Sequence, residues 1–317
     1  MTVSALAADL PVERALGPYF IAPNPIAQWA IEIGGRYWFS SGRTQLDLFG
    51  FTQSDGFLSR LTYTGLNAQT GEVFGRVEHV SGFLVKGFAG GGAITNGNLR
   101  DEDFFPFTDP YSSTNSEQRD GRLAYATIDF GWTWRSEGIK FGFFIGYHFY
   151  HEQVNAFGCT QNASNAFICA PSIPGSVLTI TQETDWHAMR LGLNTEWWFA
   201  PGWRLSVDAA WIPWASLVAS DTHWLRIPAD FSGSIPERGD SFLNVQLEAF
   251  VSYQFLNGFS LGVGGRYWNF STTSGQAHFE SSAVNGFPQQ ISLATQRWGG
   301  FLQASYRFGV LRPTRYN

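Results

Sequence analysis

The chain has 317 residues, a length that suits one large β domain or two smaller domains. Its formal net charge of -6 argues against nucleic acid as a partner, and it has no run of about 18 apolar residues that could form a transmembrane helix. The aromatic content of 17% is high, and the aromatic residues recur in many segments of alternating polarity. This pattern is typical of an all-β transmembrane barrel, which turns every second side chain towards lipid.

The first residues, Met1–Asp9, resemble the end of a secretory signal. Ala5-Leu6-Ala7 has the small-x-small pattern of a cleavage site, although the charged and apolar regions are missing before it. An ordinary N-terminus is the alternative. We expect three parts in the chain: a signal remnant with an N-terminal extension over 1–28, a transmembrane barrel over 29–309 and a C-terminal tail over 310–317.

Ten segments alternate between apolar and polar residues and are bounded by turn residues, which predicts an antiparallel barrel of ten β-strands. The predicted strands are Trp29–Ser40, Leu58–Val80, Phe83–Thr95, Leu123–Arg135, Lys140–Asn155, Leu178–Phe199, Trp203–Leu217, Ser241–Phe255, Phe259–Thr272 and Ile291–Phe308.

The predicted connections alternate in length. Four are tight turns with hairpin residues: Ser81-Gly82, Ser136–Gly138, Ala200–Gly202 and Leu256–Gly258. Five are long loops: Ser41–Phe57, Asn96–Arg122, Ala156–Val177, Val218–Asp240 and Ser274–Gln290. Short connections at one end and long ones at the other are typical of a bacterial outer-membrane barrel with extracellular long loops. Both termini then lie on the periplasmic side.

The last predicted strand divides its side chains between two faces. One face carries Trp298, Gly300, Leu302, Ala304, Tyr306 and Phe308. The other face carries Arg297, Gly299, Phe301, Gln303, Ser305 and Arg307. The first set suits lipid and the second suits a mostly polar interior, as expected for a barrel wall.

The seventh predicted strand repeats this division, with Trp203 and Trp211 on one face and charged residues on the other. Continued without interruption, its alternation would send Asp221 and His223 to the face of the tryptophans. A bulge would correct this, and proline is accepted at bulges, so we expect one near Pro213.

Cys159 and Cys169 both fall in the third predicted long loop. In an oxidising envelope such a pair predicts a disulfide that closes a small loop, and two unrelated thiols are the alternative. Two cysteines alone cannot form a zinc site.

Two acidic motifs follow predicted strands at the end that carries the long loops. Asp101-Glu102-Asp103 follows the third predicted strand, and Asp221-Thr222-His223 follows the seventh. In a ten-stranded barrel these strands lie nearly opposite each other, and residues two apart in extended backbone share a face, so both pairs can point into one cleft. Such a set can hold a water molecule and remove its proton, which is general-base hydrolysis without a covalent intermediate. Solvated loop residues or loose calcium ligands are the alternative.

Two further motifs flank these pairs: Ser41-Gly42-Arg43-Thr44 after the first predicted strand, and Asp120-Gly121-Arg122-Leu123-Ala124-Tyr125-Ala126 at the start of the fourth. Together the four motifs resemble those of the omptins, outer-membrane proteases with a ten-stranded barrel. That family has an Asp-x-Asp pair on the second outer loop, an Asp-x-His pair on the fourth, and Ser-Gly-Lys-Thr and Asp-x-x-Leu-x-Tyr-Ala at the flanking positions. The resemblance extends over nearly the whole chain, from about Ile31 to Phe308.

The resemblance implies a role for each of four residues. His223 would be the general base, oriented by Asp221. Asp101 would hold the nucleophilic water against His223, and Asp103 would support it. The implied function is that of an outer-membrane endopeptidase that cleaves a peptide or protein substrate at the extracellular rim. Outer-membrane lipid is the other expected partner, and no metal is expected.

The sequence departs from the family at the substrate pocket. The acid that follows the family's Ser-Gly-Lys-Thr falls on Leu46, with Asp47 beside it, and the acid before the Asp-x-His pair falls on Ala219. These three residues are the expected substrate contacts, without the two acids that receive a basic side chain. The family's lipopolysaccharide-binding basic residues fall on His151 and Asp185. No cofactor is predicted, and a dependence on lipopolysaccharide is left open.

Two other classes of protein remain open from the sequence. One is a non-enzymatic outer-membrane barrel, an adhesin or envelope-structural protein with a degenerate site. The other is a porin, although barrels of this size tend to be filled by side chains and wide pores need about 16 strands.

Overall fold

The computed structural model describes residues 28–50, 56–104, 109–255, 258–280 and 285–309. Within these ranges the chain is all-β, with thirteen strands and one short 3-10 turn, Trp224–Arg226. In the same ranges no helix is long and apolar enough to cross a membrane. The predicted signal remnant, except for Gln28, and the predicted C-terminal tail lie outside the described residues.

The strands are β1 Trp29–Phe49, β2 Phe57–His79, β3 Phe83–Asp103, β4 Ser112–Gln118, β5 Gly121–Ser136, β6 Ile139–Gln161, β7 Ile173–Ala200, β8 Trp203–His223, β9 Ile235–Ser241, β10 Asn244–Gln254, β11 Phe259–Ser271, β12 Ser274–Glu280 and β13 Asn285–Phe308.

All strand pairs are antiparallel and belong to one large sheet. Pairing runs in the order β1, β2, β3, β5, β6, β7, β8, β10, β11, β13. The first strand also pairs with the last, from Ile31 opposite Phe308 to Leu48 opposite Ile291. The three short strands pair only at one end of the long strands: β4 with β3 and β6, β9 with β8 and β12, and β12 with β13.

The predicted long loops are partly wrong, because several strands continue into them. β1 ends at Phe49, β3 at Asp103, β6 at Gln161 and β8 at His223. Alternation of apolar and polar residues ends where the outward face of a strand becomes polar, while the backbone pairing goes on. The two acidic motifs therefore lie on the ends of β3 and β8, and not in loops.

The three short strands β4, β9 and β12 were also missed by the sequence analysis, which assigned them to loops. Each has seven residues, and turn-forming residues such as Pro236 and Gly239 in β9 obscure its pattern. They become strands because long neighbouring strands offer them pairing partners, a non-local effect that outweighs local propensity.

Side chains alternate between an exposed face and a buried face, as predicted. On β13, Trp298 and Leu302 are exposed, whereas Arg297 and Gln303 are buried. The exposed faces of most long strands carry large apolar or aromatic residues. The sheet therefore presents an apolar outer surface and an inner surface that combines polar and charged residues with aromatic and aliphatic ones.

The predicted bulge near Pro213 is confirmed. The register between β7 and β8 shifts at this point, so that Trp211 and Trp214 are both exposed although they are three residues apart. Because a strand has a period of two, one extra residue moves all later side chains to the other face. The bulge thus turns Asp221 and His223 towards the inner face.

On the other side of this bulge from Asp221 and His223, the inner face is filled by ion pairs and aromatic rings. Arg266 contacts Glu72 at 2.7 Å and Glu248 at 2.6 Å, and its guanidinium carbon lies 4.9 Å from the centroid of the Trp268 ring. A cavity of about 70 Å³ lies here and reaches Arg36. These charges are paired and hydrogen-bonded, as burial of ionised groups requires.

Candidate active site

The four predicted catalytic residues line one cavity of about 480 Å³ at the end of the sheet that carries the short strands. Asp101 and Asp103 reach it from the end of β3, and Asp221 and His223 reach it from the end of β8. Three strands, β5, β6 and β7, separate β3 from β8 in the pairing order. The cavity lies between the two strand ends, so it brings together residues more than a hundred positions apart.

The two aspartates of β3 share the face that lines the cavity, because they are two residues apart in a strand. Both are half-buried. Glu102 between them is on the other face and pairs with Arg100 at 2.8 Å. Ser59 on the neighbouring strand lies opposite Asp103 and donates a hydrogen bond to its carboxylate.

Asp221 holds the imidazole of His223. The Asp221 Oδ2 atom lies 2.8 Å from His223 Nε2, and the Asp221 side chain is almost fully buried. Its second carboxylate oxygen, Oδ1, has no hydrogen-bond partner among the described residues. An Asp–His pair of this kind fixes the tautomer and orientation of the imidazole and stabilises its protonated form.

Burial raises the pKa of Asp101 to about 7, with a further contribution from the neighbouring carboxylate of Asp103. The positive charge of His223 opposes this rise, which means that the two groups interact electrostatically across the cavity. Burial also raises the pKa of Asp103, against the hydrogen bond from Ser59. Both carboxyls therefore ionise at a higher pH than free aspartates do.

The pKa of His223 is raised above its usual value. Burial acts to lower it, but the charge of Asp221 and the hydrogen bond to Asp221 raise it more, and Asp101 adds to the effect. The imidazole is thus a stronger base than a free histidine. A base of this strength next to a carboxylate can take a proton from a bound water molecule near neutral pH.

The three expected substrate contacts have different positions. Leu46 lines the cavity from the inner face of β1. Asp47 is on the opposite face and forms an ion pair with Arg60, with the Asp47 Oδ1 atom 2.6 Å from Arg60 Nε. Ala219 is buried on β8 and lies directly opposite Glu237 of β9.

Glu237 was missed by the sequence analysis because it was assigned to a loop. It lines the cavity, and its carboxylate accepts a hydrogen bond of 2.8 Å from Gln182 Nε2. Burial raises its pKa to about 8, with help from the negative charge of Asp221. The signal in the sequence was the two-residue spacing of Ile235 and Glu237, which puts both on one face of β9.

Phe231 was also missed. Its ring centroid lies 5.8 Å from that of His223 and 6.0 Å from that of Phe279. The guanidinium of Arg226 lies 4.4 Å from the Phe231 ring centroid, and Arg226 also pairs with Asp230 at 2.9 Å.

Cys159 and Cys169 form a disulfide, as the sequence predicts. Both cysteines line the cavity, so the disulfide fixes part of its wall. Among the described residues no group of three or more His, Cys, Asp or Glu side chains is arranged to hold a metal ion. His151 and Asp185 form a pair at 2.6 Å on neighbouring strands β6 and β7, away from the cavity.

No protein-family model matches the chain, and no curated protein matches it. Among solved structures the chain is similar to the outer membrane protease OmpT from Escherichia coli. The TM-score is 0.69 at 13% sequence identity, and the match covers 88% of this chain and 97% of that one. This similarity shows that the chain has the fold of an outer-membrane β-barrel protein.

Two further outer-membrane structures match at lower similarity. The toluene transporter TodX from P. putida matches at 8% identity with a TM-score of 0.30, over 90% of this chain and 91% of that one. The attachment invasion locus protein Ail of Yersinia pestis matches at 9% identity with a TM-score of 0.26, over 87% and 98%. These scores are too low to support a structural argument.

Proposed function

We propose that β1, β2, β3, β5, β6, β7, β8, β10, β11 and β13 form a closed ten-stranded barrel, within residues 29–309, that spans the bacterial outer membrane. The pairing of β1 with β13 supports closure. Closure removes both edges of the sheet, which is how a β-protein satisfies its backbone groups in lipid.

The exposed aromatic residues support the membrane assignment. On β8, Trp203 lies at one edge of the apolar band and Trp211 and Trp214 lie at the other. About ten residues of tilted strand span the apolar band of a transmembrane barrel, and aromatic residues mark both of its interfaces. The cavity lies beyond the second edge, outside the membrane. Tight turns at the opposite end support a periplasmic position for that end and a cell-surface position for the cavity.

The function that the site supports best is hydrolysis of a peptide bond in a peptide or protein substrate, as in an omptin-like endopeptidase. One observation carries this proposal: Asp101, Asp103, Asp221 and His223 line a single cavity, with the Asp–His pair already hydrogen-bonded. A surface adhesin needs no such convergence of buried titratable groups. Perturbed pKa values in a cleft are typical of catalytic sites.

The proposed reaction uses one water molecule held between Asp101 and His223. His223 takes a proton from this water, and the resulting hydroxide attacks the carbonyl carbon of the scissile peptide. Asp221 stabilises the imidazolium that forms. The imidazolium then gives its proton to the departing amine nitrogen as the C–N bond breaks, which restores the neutral base. The products are a carboxylic acid and an amine, which ionise in water to a carboxylate and an ammonium group, and no covalent intermediate forms.

A cleavage assay on refolded protein tests this proposal. Wild-type protein in lipid vesicles is incubated with a peptide library, and the products are identified by mass spectrometry. His223→Ala should abolish cleavage, since it removes the proposed general base, while the barrel keeps its heat-dependent gel mobility. His187→Ala is the matched control: His187 is bonded to Tyr147 away from the cavity, so this variant should cleave normally. Full activity in the His223→Ala variant would refute the proposal and favour a non-enzymatic barrel.

A further inference from the structure

One part of the cavity is apolar, and we call it the apolar half. It is lined by Leu46, Leu48, Leu61, Phe231, Ile235 and Phe279. Leu46, Leu61 and Ile235 are each exposed by 6% or less. These residues come from β1, β2, β9, β12 and the segment that precedes β9, so the apolar half is a feature of the fold and not of one loop.

The register of the strands places the apolar half beside Asp101. Leu61 of β2 lies directly opposite Asp101 of β3, and Leu46 of β1 lies opposite Leu61. Leu293 of β13 continues the row, opposite Leu46. Opposite side chains on neighbouring strands have Cβ atoms about 5 Å apart. The row of three leucines therefore starts on β2, next to Asp101, and continues across β1 to β13, away from Asp101.

The apolar half also adjoins the Asp–His pair. Ile235 lies directly opposite Asp221, and the Phe231 ring packs near the His223 imidazole. Phe279 extends this wall from Phe231. A peptide carbonyl held between Asp101 and His223 would thus have apolar surface next to it on both sides.

The carboxyls of the cavity outside the proposed catalytic set do not offer a charge to a basic side chain. Glu237 has its pKa raised to about 8 by burial and by Asp221, so it is largely uncharged at neutral pH. It also accepts a hydrogen bond from Gln182. Asp230 is paired with Arg226 at 2.9 Å. Within the described lining, a lysine or arginine in the apolar half would lose its hydration without gaining an ionised partner outside the proposed catalytic set.

We infer that the apolar half binds a large apolar side chain of the substrate, such as leucine or phenylalanine, at the residue next to the scissile bond. The inference rests on the proposed endopeptidase function and names the substrate class of that site. The volume of about 480 Å³ falls in the range of ligand-binding pockets and has room for a side chain together with backbone. Burial of the apolar side chain supplies the binding energy that positions the carbonyl.

Two matched peptides that differ only in the residue before the cleaved bond, leucine against lysine, measure the preference. The ratio of kcat/KM should favour leucine by about 100-fold at neutral pH, the order expected when a pocket without a partner must reject a polar group. Binding of both peptides to the inactive His223→Ala variant should show the same order of affinity. A preference for lysine in both measurements would overturn the inference.

Substitutions of Leu46 locate the preference in the apolar half. Leu46→Glu puts a carboxylate into it and should shift the ratio towards lysine by at least about tenfold, while Leu46→Ala should weaken cleavage after leucine without a gain for lysine. Leu48→Glu, at a half-buried position, replaces Leu46→Glu if that variant does not fold. Arg43→Glu is the control, because it places the same carboxylate on the exposed face of β1. It should leave the ratio unchanged.

The outcomes distinguish a failure of the inferred substrate preference from a failure of the proposed endopeptidase function. Cleavage that depends on His223 but occurs after basic residues would overturn the inference and leave the endopeptidase function intact. An unchanged ratio in the folded glutamate variants would also overturn it. Absence of any cleavage would refute the endopeptidase function. In that case equal binding of both peptides to the wild-type protein would overturn the inference as well.

Discussion

At the scale of single residues, the site depends on how Asp221 holds His223. The carboxylate is buried, hydrogen-bonded to the imidazole at 2.8 Å and fixed by its place in β8. Sequence reasoning could find this pair because two residues at spacing two in a strand share a face. It missed Glu237 and Phe231, because their positions depend on how β9 and the segment before it pair and pack against distant strands.

Asp221→Asn should lower kcat by about 10³-fold or more, because an amide favours the wrong tautomer and cannot stabilise the imidazolium. The measurement is steady-state cleavage of a fluorogenic peptide by refolded protein. Asp185→Asn provides the control, since Asp185 contacts His151 in a similar Asp–His pair outside the cavity. Equal losses in both variants would mean that the effect is structural and not catalytic.

The pH profile follows from the raised pKa values of the site. His223 acts when it is neutral and Asp101 when it is ionised, and the pKa of each is raised, that of Asp101 to about 7. Activity should therefore be lost as the pH falls through neutrality, at a higher pH than an ordinary histidine and aspartate would produce. A plot of kcat/KM against pH tests this expectation. An acid limb that ends well below pH 6 would contradict it.

At the scale of elements, the centres of the long strands were predictable, and their ends beside the cavity were not. Within the apolar band a strand needs an apolar residue at every second position, and this requirement marks it in the sequence. Beyond the apolar band, towards the cavity, β1, β3, β6 and β8 continue through backbone pairing alone. This pairing leaves little trace in the amino-acid composition of the strands. The bulge at Pro213 was predictable because the Asp-x-His motif can line the proposed site only if it faces inward.

Arg297 of β13 is the main link between elements just below the cavity. Its buried guanidinium contacts Glu152 of β6 at 2.7 Å, the Tyr150 hydroxyl at 3.0 Å and the Leu66 carbonyl of β2 at 3.1 Å. Arg297→Leu leaves the Glu152 carboxylate buried without its cation, which should lower the free energy of unfolding by about 3–5 kcal/mol. Urea titration in lipid vesicles measures this change.

The matched variant for that titration is Arg43→Leu, on the strand that pairs with β13. Arg43 is exposed, so its replacement should change the free energy of unfolding by no more than about 0.5 kcal/mol. If the Arg297→Leu variant has the same free energy of unfolding as the wild-type protein, the ion pair contributes little to the stability of the strands that carry the site.

At the scale of the whole molecule, the fold class was predictable from alternation and from connection lengths. What the sequence could not supply was the crowding of the interior, where Arg266, Glu72, Glu248 and Trp268 contact one another across the sheet. The contact between Arg266 and Glu72 joins residues that are far apart in sequence, so no local pattern marks it. The filled interior argues against the porin that the sequence left open, because the cavity of about 70 Å³ in it has room for little more than water.

The central claim is that Asp101 and His223 act together on one water molecule, although they come from strands far apart in the chain. A double-mutant cycle on kcat/KM tests it most directly, with Asp101→Ala, His223→Ala and the combined variant. Residues that act as a unit are strongly non-additive, so the combined variant should lose no more than about threefold beyond the more damaging single change. Losses that multiply would show that the two residues act independently and would contradict the shared water.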